Sequence, residues 1–282
     1  MQILTSPQEL AALCRQWRKD GERIALVPTM GYYHAGHESL MARGRELGSK
    51  LVVSLFVNPT QFGPNEDLAA YPRDHKRDAA IARKQGADVL FIPEEGSMYA
   101  PDHATWVEVP DMARGLCGAS RPIHFRGVCT VVMKLFWLVQ PDVAVFGQKD
   151  WQQQAIIRRM VRDMNVPVQI ETQPTMREAD GLAMSSRNVY MTEAERAQAP
   201  QLRQGLELAR RLAAQGETSA ARLRDAVLLY WAEHLPLGRL DYLSVVDADS
   251  LEPLDTLNGR GLMACAVHMG KARLIDNILL QD

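Results

Sequence analysis

Four short apolar runs, "RIALVPT", "KLVVSLFVN", "ADVLFIP" and "DVAVFG", recur through the first half of the chain with amphipathic stretches between them. Nothing else in the sequence restricts the fold as strongly. A strand with one face in a core alternates apolar and polar residues, whereas a run that is apolar throughout must be covered on both faces. Such runs, separated by helix-length segments, predict a parallel sheet with helices on either side. Ahead of the first run, Ser6-Pro7-Gln8-Glu9 reads as an N-cap, a first-turn proline and a glutamate at the capping-box position. Leu10, Leu13, Cys14 and Trp17 follow at helical spacing, and Gly21 ends that helix.

After about Thr175 the pattern changes. The stretch "TEAERAQAPQLRQGLELARRLAAQ" opens with a capping box from Thr192 to Glu195 and sets Leu202, Leu206, Ala209 and Ala213 on one face. A further helix is expected around Leu223, Val227 and Trp231. The closing segments "LDYLSVVDA", "GLMACAVHM" and "ARLIDNILL" read as strands of a small antiparallel sheet, with Gly270-Lys271 turning between the last two. The expectation is an α/β chain: a doubly wound parallel-sheet domain over residues 1–176, then a smaller C-terminal α+β domain over residues 177–282. A length of 282 residues at 46% hydrophobic content suffices for two cores.

Composition narrows the function. A formal net charge of −2 carries no basic excess, so a nucleic-acid partner is not expected and a small substrate is. The start "MQILTSPQEL" lacks a basic region followed by an apolar one, and the apolar stretches are too short to cross a bilayer, so no membrane partner and a cytoplasmic location are expected. Cys14, Cys117, Cys129 and Cys265 are scattered without a C-x-x-C pair; they read as small buried hydrophobes rather than disulfide or thiolate-metal partners.

Ligands of open α/β sheets bind beyond the carboxyl ends of strands, which directs attention to "LVPTMGYYHAGHESL", residues 26–40. Gly31 and Gly36 allow backbone to approach a ligand, and a helix beginning near His37 would aim N–H groups and a positive dipole end at it. His34 and His37, three apart, can face one way and donate to phosphate oxygens. The same residues also fit capping, packing or a histidine pair on a metal, although no H-E-x-x-H spacing or cysteine supports zinc. Distant in sequence, "READGLAMSSRN" (177–188) combines Gly181 as a hinge, the Ser185 and Ser186 hydroxyls and the Arg187 guanidinium, a set suited to phosphate; a polar interdomain linker would have similar composition.

The H-x-G-H turn with the Ser-Ser-Arg loop resembles the nucleotidyltransferase superfamily. The blocks "ALVPTMG", "SLFVNPTQF", "YPRD", "SRPIHFRGV", "VQPDVAVFGQKDWQQ", "MSSRN" and "ARLIDN" follow in the order and spacing of the pantoate/β-alanine ligase (pantothenate synthetase) family, over nearly the whole chain. The resemblance implies a Rossmann-like first domain, a C-terminal lid domain and an ATP-dependent ligation. In that ligation pantoate is adenylated, pyrophosphate leaves, and the β-alanine amine displaces AMP to give pantothenate in coenzyme A biosynthesis. It implies an ATP site from Met30, Gly31, Tyr32, Tyr33, His34, Ala35, Gly36 and His37, completed by Gly147, Gln148, Lys149 and Asp150 and by Met176, Met184, Ser185, Ser186 and Arg187. His37, His34 and Lys149 would be the catalytic groups. Gln61 and Gln153 would hold pantoate, with Gln61 also near β-alanine, and Asn58 and Arg121 are weaker substrate candidates. Mg²⁺ accompanying ATP, with no ligands assigned, and a homodimer are further family expectations.

Departures from the family pattern are Tyr33 for a leucine, Ala35 for an acidic residue, Gln148 for a glutamate and Met184 for a leucine. None removes a group given a catalytic role, but the loss of two carboxylates beside ATP would change Mg²⁺ placement or the local potential. Asp150 doubles as a candidate N-cap for the helix after it, and the Tyr32 ring, His124 and "WLVQ" read as packing or surface.

Overall fold

The computed structural model describes residues 1–64 and 66–281. Along the chain run β1 (Gln2–Leu4), α1 (Pro7–Lys19), β2 (Ile24–Thr29), α2 (Ala35–Leu47), β3 (Lys50–Leu55), α3 (His75–Lys84), β4 (Val89–Phe91), α4 (Glu95–Met98), α5 (Cys117–Ser120) and α6 (His124–Val139). They are followed by β5 (Val143–Gly147), α7 (Trp151–Asp163), β6 (Gln169–Gln173), α8 (Glu193–Gln198), α9 (Gln201–Ala214), α10 (Ala220–His234), β7 (Gly238–Asp247), β8 (Gly261–Met269) and β9 (Ala272–Leu279). Two compact units emerge. One holds Met1–Pro110, Arg121–Gln148 and Ile156–Pro174; the other holds Asp111–Ser120, Lys149–Ala155 and Thr175–Asp282.

In the first unit six strands form one sheet in the order β1-β4-β3-β2-β5-β6, and every pairing is parallel. The four apolar runs are its inner strands β2, β3, β4 and β5, which explains their continuous hydrophobicity. Leu26, Val52, Leu90 and Val145 are fully buried. The edge strands β1 ("QIL") and β6 ("QIETQ") carry no such run, because an edge strand needs covering less completely. From β2 the chain winds outward through β3 and β4 on one side, and β5 and β6 lie on the other. The order therefore reverses between β2 and β5, and a doubly wound sheet opens its ligand crevice at the carboxyl ends of such a pair.

Helix α1 starts as its sequence indicates: the Ser6 hydroxyl accepts the Glu9 N–H at 3.3 Å, Pro7 sits in the first turn, and Leu10 and Cys14 are buried. All four cysteines are buried and unbridged. No helix among the described residues is long and apolar enough to cross a membrane.

In the second unit β7-β8-β9 form an antiparallel sheet, with β8 and β9 joined at Gly270-Lys271. Leu202, Leu206, Ala209 and Ala213 of α9 and Leu223, Val227 and Trp231 of α10 pack with Met263, Cys265 and Val267 of β8 into one core. The long amphipathic stretch is two helices. Thr192 and Glu195 form the reciprocal cap of α8, and α9 begins after Pro200, which has no N–H with which to continue the helical ladder.

Candidate active site

Beyond β2 the chain turns through Gly31 (φ 88°) and Tyr32 (φ 52°) and enters α2. The helix starts at Ala35, earlier than the expected position near His37, because His34 itself is the N-cap. Its Nδ1 accepts the Gly36 N–H at 3.1 Å, taking the place of the usual hydroxyl or carboxylate, and His37 Nδ1 accepts the His34 N–H at 3.3 Å. The two rings lie 4.2 Å apart, centroid to centroid. An imidazole that accepts at Nδ1 carries its proton at Nε2 when neutral, so the caps assign both histidines the Nε2–H tautomer. Each ring is thereby given a donor nitrogen opposite its cap, beside the positive end of a helix of 13 residues.

The Tyr33 side chain is fully buried, its hydroxyl 3.1 Å from Thr29 Oγ1, and its ring centroid is 5.4 Å from that of His37. Burial pushes its phenol pKa well above the ordinary value. This tyrosine acts as core beneath the turn, and any approach to a ligand falls to its backbone.

Two residues of the turn's support were not among those picked out from the sequence. Asp78, on α3 and 0% exposed, accepts the N–H groups of both Tyr32 (2.6 Å) and Tyr33 (2.8 Å). Arg77 donates to the Tyr33 carbonyl at 2.9 Å, with its guanidinium carbon 5.2 Å from the Tyr32 ring centre. A signal existed: Asp78 shares the inward face of α3 with Ala79 and Ala82, where a charged residue requires a partner.

Gln61 is 6% exposed and its amide is held at both ends: Oε1 accepts from Asn58 Nδ2 at 3.2 Å, and Nε2 lies 2.9 Å from Met30 Sδ. Asn58, 1% exposed, also donates to the Gly127 carbonyl (3.1 Å) and accepts from the Thr60 hydroxyl (2.9 Å), so its polar atoms serve to fix the Asn-Pro-Thr-Gln turn. Arg121 is turned toward Glu66, donating Nε–H at 2.8 Å, and its Nη2 reaches the Gln61 carbonyl at 3.3 Å. The structure thus brings Met30, Asn58, Gln61 and Arg121 together around one turn. His124 belongs to the same cluster, with Nδ1 3.0 Å from the Gln61 carbonyl.

In the second unit, Lys149 Nζ donates to the Met184 carbonyl at 3.0 Å. The lysine lines a small cavity with Leu182, Ala183, Ser185, Leu202 and Asp276. Burial lowers its pKa from the ordinary 10.5, with Arg187 and Arg177 acting in the same direction, against the opposing pull of Asp150 and Asp276. The Arg177–Ala183 segment is a hairpin: Arg177 and Ala183 pair across it, and Gly181 (φ 92°), read as a hinge, is the left-handed residue of its turn. Arg177 anchors the hairpin through a two-pronged bond to the Asp276 carboxylate, at 2.7 and 2.9 Å. Ser185 caps the 3-10 turn Ser186–Tyr190 by accepting the Arg187 N–H at 3.2 Å; Ser186 is buried, Arg187 is half-buried and Met176 is 41% exposed. Of the three successive glutamines, Gln152 and Gln154 are buried and Gln153 is half-buried. Gln152 is occupied by the backbone of Met112, Gly115 and Cys117. Asp150 is exposed in a 3-10 turn directly ahead of α7. Among the described residues, no three His, Cys, Asp or Glu side chains gather as a metal-binding group.

A parallel sheet that reverses direction between β2 and β5, with a histidine-capped helix entered from the carboxyl end of β2, defines a Rossmann-like α/β protein followed by a small antiparallel α+β portion. Among known proteins, the profile of the pantoate-beta-alanine ligase family matches residues 2–279. The pantothenate synthetase of Desulfovibrio desulfuricans is 73% identical over 282 residues, covering all of both chains. The crystal structure of pantothenate synthetase from Thermus thermophilus superposes with a TM-score of 0.94 at 42% identity, again covering 100% of each chain. That of the Francisella tularensis pantoate-beta-alanine ligase, complexed with beta-gamma ATP and beta-alanine, gives 0.80 at 31% identity, covering 99% of this chain and 98% of the other. The chain belongs to the pantoate-beta-alanine ligase family.

Proposed function

We propose that the chain condenses (R)-pantoate with β-alanine at the expense of ATP, giving pantothenate, AMP and pyrophosphate by way of a bound pantoyl adenylate. The observation that carries this reading is the histidine turn at the carboxyl end of β2, in a chain matched by the ligase family over residues 2–279. The relative complexed with beta-gamma ATP and beta-alanine supports the choice of two of the substrates.

In the first step a pantoate carboxylate oxygen attacks the α-phosphorus of ATP, and the bond to pyrophosphate breaks. Negative charge grows on the non-bridging α-oxygens and on the leaving group. The Nε2–H donors of His34 and His37, held in one tautomer by their caps, are suited to meet that charge without reorganising. Lys149 and the segment Met184–Arg187 are assigned to the same polyphosphate, with Met30–His37, Gly147–Asp150 and Met176 as the remaining nucleotide residues. The depressed lysine pKa means that an approaching phosphate would be met by a cation short of solvation, which strengthens the attraction. In the second step the β-alanine amine, as free base, attacks the acyl carbon and AMP leaves with the electron pair of the broken bond. Gln61 and Gln153 are assigned to pantoate, Gln61 also to β-alanine, with Asn58 and Arg121 acting on Gln61 rather than on substrate.

Mg²⁺ would enter with ATP, since it keeps several waters and binds chiefly through phosphate oxygens. The described residues offer no dedicated cage, and no protein ligand is assigned to it. A homodimeric, cytoplasmic enzyme completes the reading by family resemblance.

The test is release of AMP and pyrophosphate from ATP with pantoate, with and without β-alanine, alongside mass detection of the product. Turnover that requires both acids and yields pantothenate is the expected result. Nucleotide retained on the product, or intact ATP, would overturn it.

A further inference from the structure

The turn bearing both histidines is conformationally expensive. Gly31 and Tyr32 occupy successive left-handed backbone positions, at φ 88° and 52°, and tyrosine has no intrinsic preference for that region. Something outside the turn must hold it there. The Asp78 carboxylate takes both N–H groups that the turn points inward, those of Tyr32 and Tyr33. The neighbouring Arg77 secures the Tyr33 carbonyl from the same helix and lies over the Tyr32 ring. A side chain at position 31 would begin 3.0 Å from Asp78 Oδ2, so the glycine there leaves room for the carboxylate.

We infer that Asp78, assisted by Arg77, is a positioning residue for the adenylation step: α3 clamps the backbone of residues 31–33 and thereby sets where His34 caps α2 and where both Nε2–H groups point. The inference rests on the proposed roles of the histidines. It makes a buried carboxylate, distant in sequence, a determinant of catalysis without assigning it contact with substrate. An acceptor-only group meets the two inward N–H groups with one oxygen each and turns no donor against either, whereas the isosteric amide would set its NH₂ against one of them.

The decisive variant is Asp78→Asn, whose single oxygen can serve one N–H while its NH₂ opposes the other. On substrate-free protein labelled with ¹⁵N-histidine, long-range ¹H–¹⁵N correlation should show His34 and His37 with unprotonated Nδ1 in the wild type and a mixture of tautomers in the variant. Pyrophosphate formation from ATP and pantoate should slow by about a hundredfold, the usual consequence of misplacing reacting groups by roughly 1 Å. Aminolysis of supplied pantoyl adenylate should change by less than about threefold, as expected for an interaction made only in the first transition state. Tyr32→Gly should partly restore adenylation in Asp78→Asn, because glycine holds φ near 50° unaided.

Unchanged histidine spectra with unchanged adenylation per folded molecule would overturn the clamp, and so would the absence of any rescue by Tyr32→Gly. If Asp78→Asn does not accumulate as folded protein, exposed Arg77→Ala takes its place, with an expected loss of about tenfold in the same step from one charged hydrogen bond. No loss there would equally refute the clamp. Because the spectra need no substrate, they report on the clamp even if the wild type fails to adenylate pantoate, a result that would instead overturn the proposed function.

Discussion

Gly127→Ala tests how closely two backbones must approach to hold Gln61. A Cβ at position 127 would sit 2.5 Å from the Thr60 carbonyl oxygen and 2.6 Å from both Cα and N of Gln61. Non-bonded carbon contacts are comfortable from about 3.5 Å, so α6 and the Pro59–Gln61 turn would have to separate by about 1 Å. The neighbouring atoms are backbone and cannot swing aside. Overpacking of this kind costs about 1–3 kcal/mol, while alanine in place of glycine within a helix returns roughly 1 kcal/mol, leaving a net loss of about 0–2 kcal/mol. That corresponds to a Tm lowered by no more than about 8 °C. The functional effect should be the larger one, since the displacement breaks the Asn58 bond to the Gly127 carbonyl and moves the amide assigned to pantoate. Loss of the hydrogen bond proposed between the displaced Gln61 amide and pantoate should raise the KM for pantoate by about tenfold. Thermal unfolding and steady-state kinetics on the same preparation measure both. A pantoate KM within twofold of wild type, at any Tm, would refute the claim that this contact places Gln61.

His37→Ala should slow adenylation by about two to three powers of ten while sparing aminolysis of preformed adenylate, as for loss of a preorganised donor; equal losses in both half-reactions would remove its assigned role. Lys149 should lose its proton below the ordinary 10.5, so kcat/KM for ATP should fall on the alkaline side before a solvated lysine would titrate, and Lys149→Arg, always charged, should flatten that limb. Because the folded-state value lies below the unfolded one, the unfolded chain binds more protons between them, and the lysine's contribution to stability should rise with pH across that window. Arg177→Ala would leave the Asp276 carboxylate, whose side chain is 2% exposed, without its cation; urea unfolding should register a loss of about 3 kcal/mol, and a loss under about 1 kcal/mol would contradict the pairing.

The inner strands were legible because they are covered on both faces, and the α1 and α8 caps because their signals span four residues. The edge strands β1 and β6 were not, since partial exposure erases the apolar run that marks a buried strand. Proline at 200 was visible in the sequence, but its effect depends on whether the chain continues the same axis with one bond missing. The histidine turn stood out by its glycines and its place after a strand. Its cap did not, since histidine is rarely the residue to take that role.

Local order in this chain comes from short-range rules: periodicity of apolar side chains, capping groups and turn residues all act within a few positions, so the sequence alone determines that strands alternate with helices and that a histidine turn follows the first inner strand. The order β1-β4-β3-β2-β5-β6 and the reversal between β2 and β5 are long-range facts, decided by which strands pair. So are the bonds from Asp78 to Tyr32 across 46 residues and from Asn58 to the Gly127 carbonyl across 69. Whether a buried carboxylate is a liability or a clamp, and whether a glycine is a turn or a point of close approach, depends on the group brought against it. Only the packed tertiary structure supplies that partner, because an isolated segment has no means of excluding water from one particular contact.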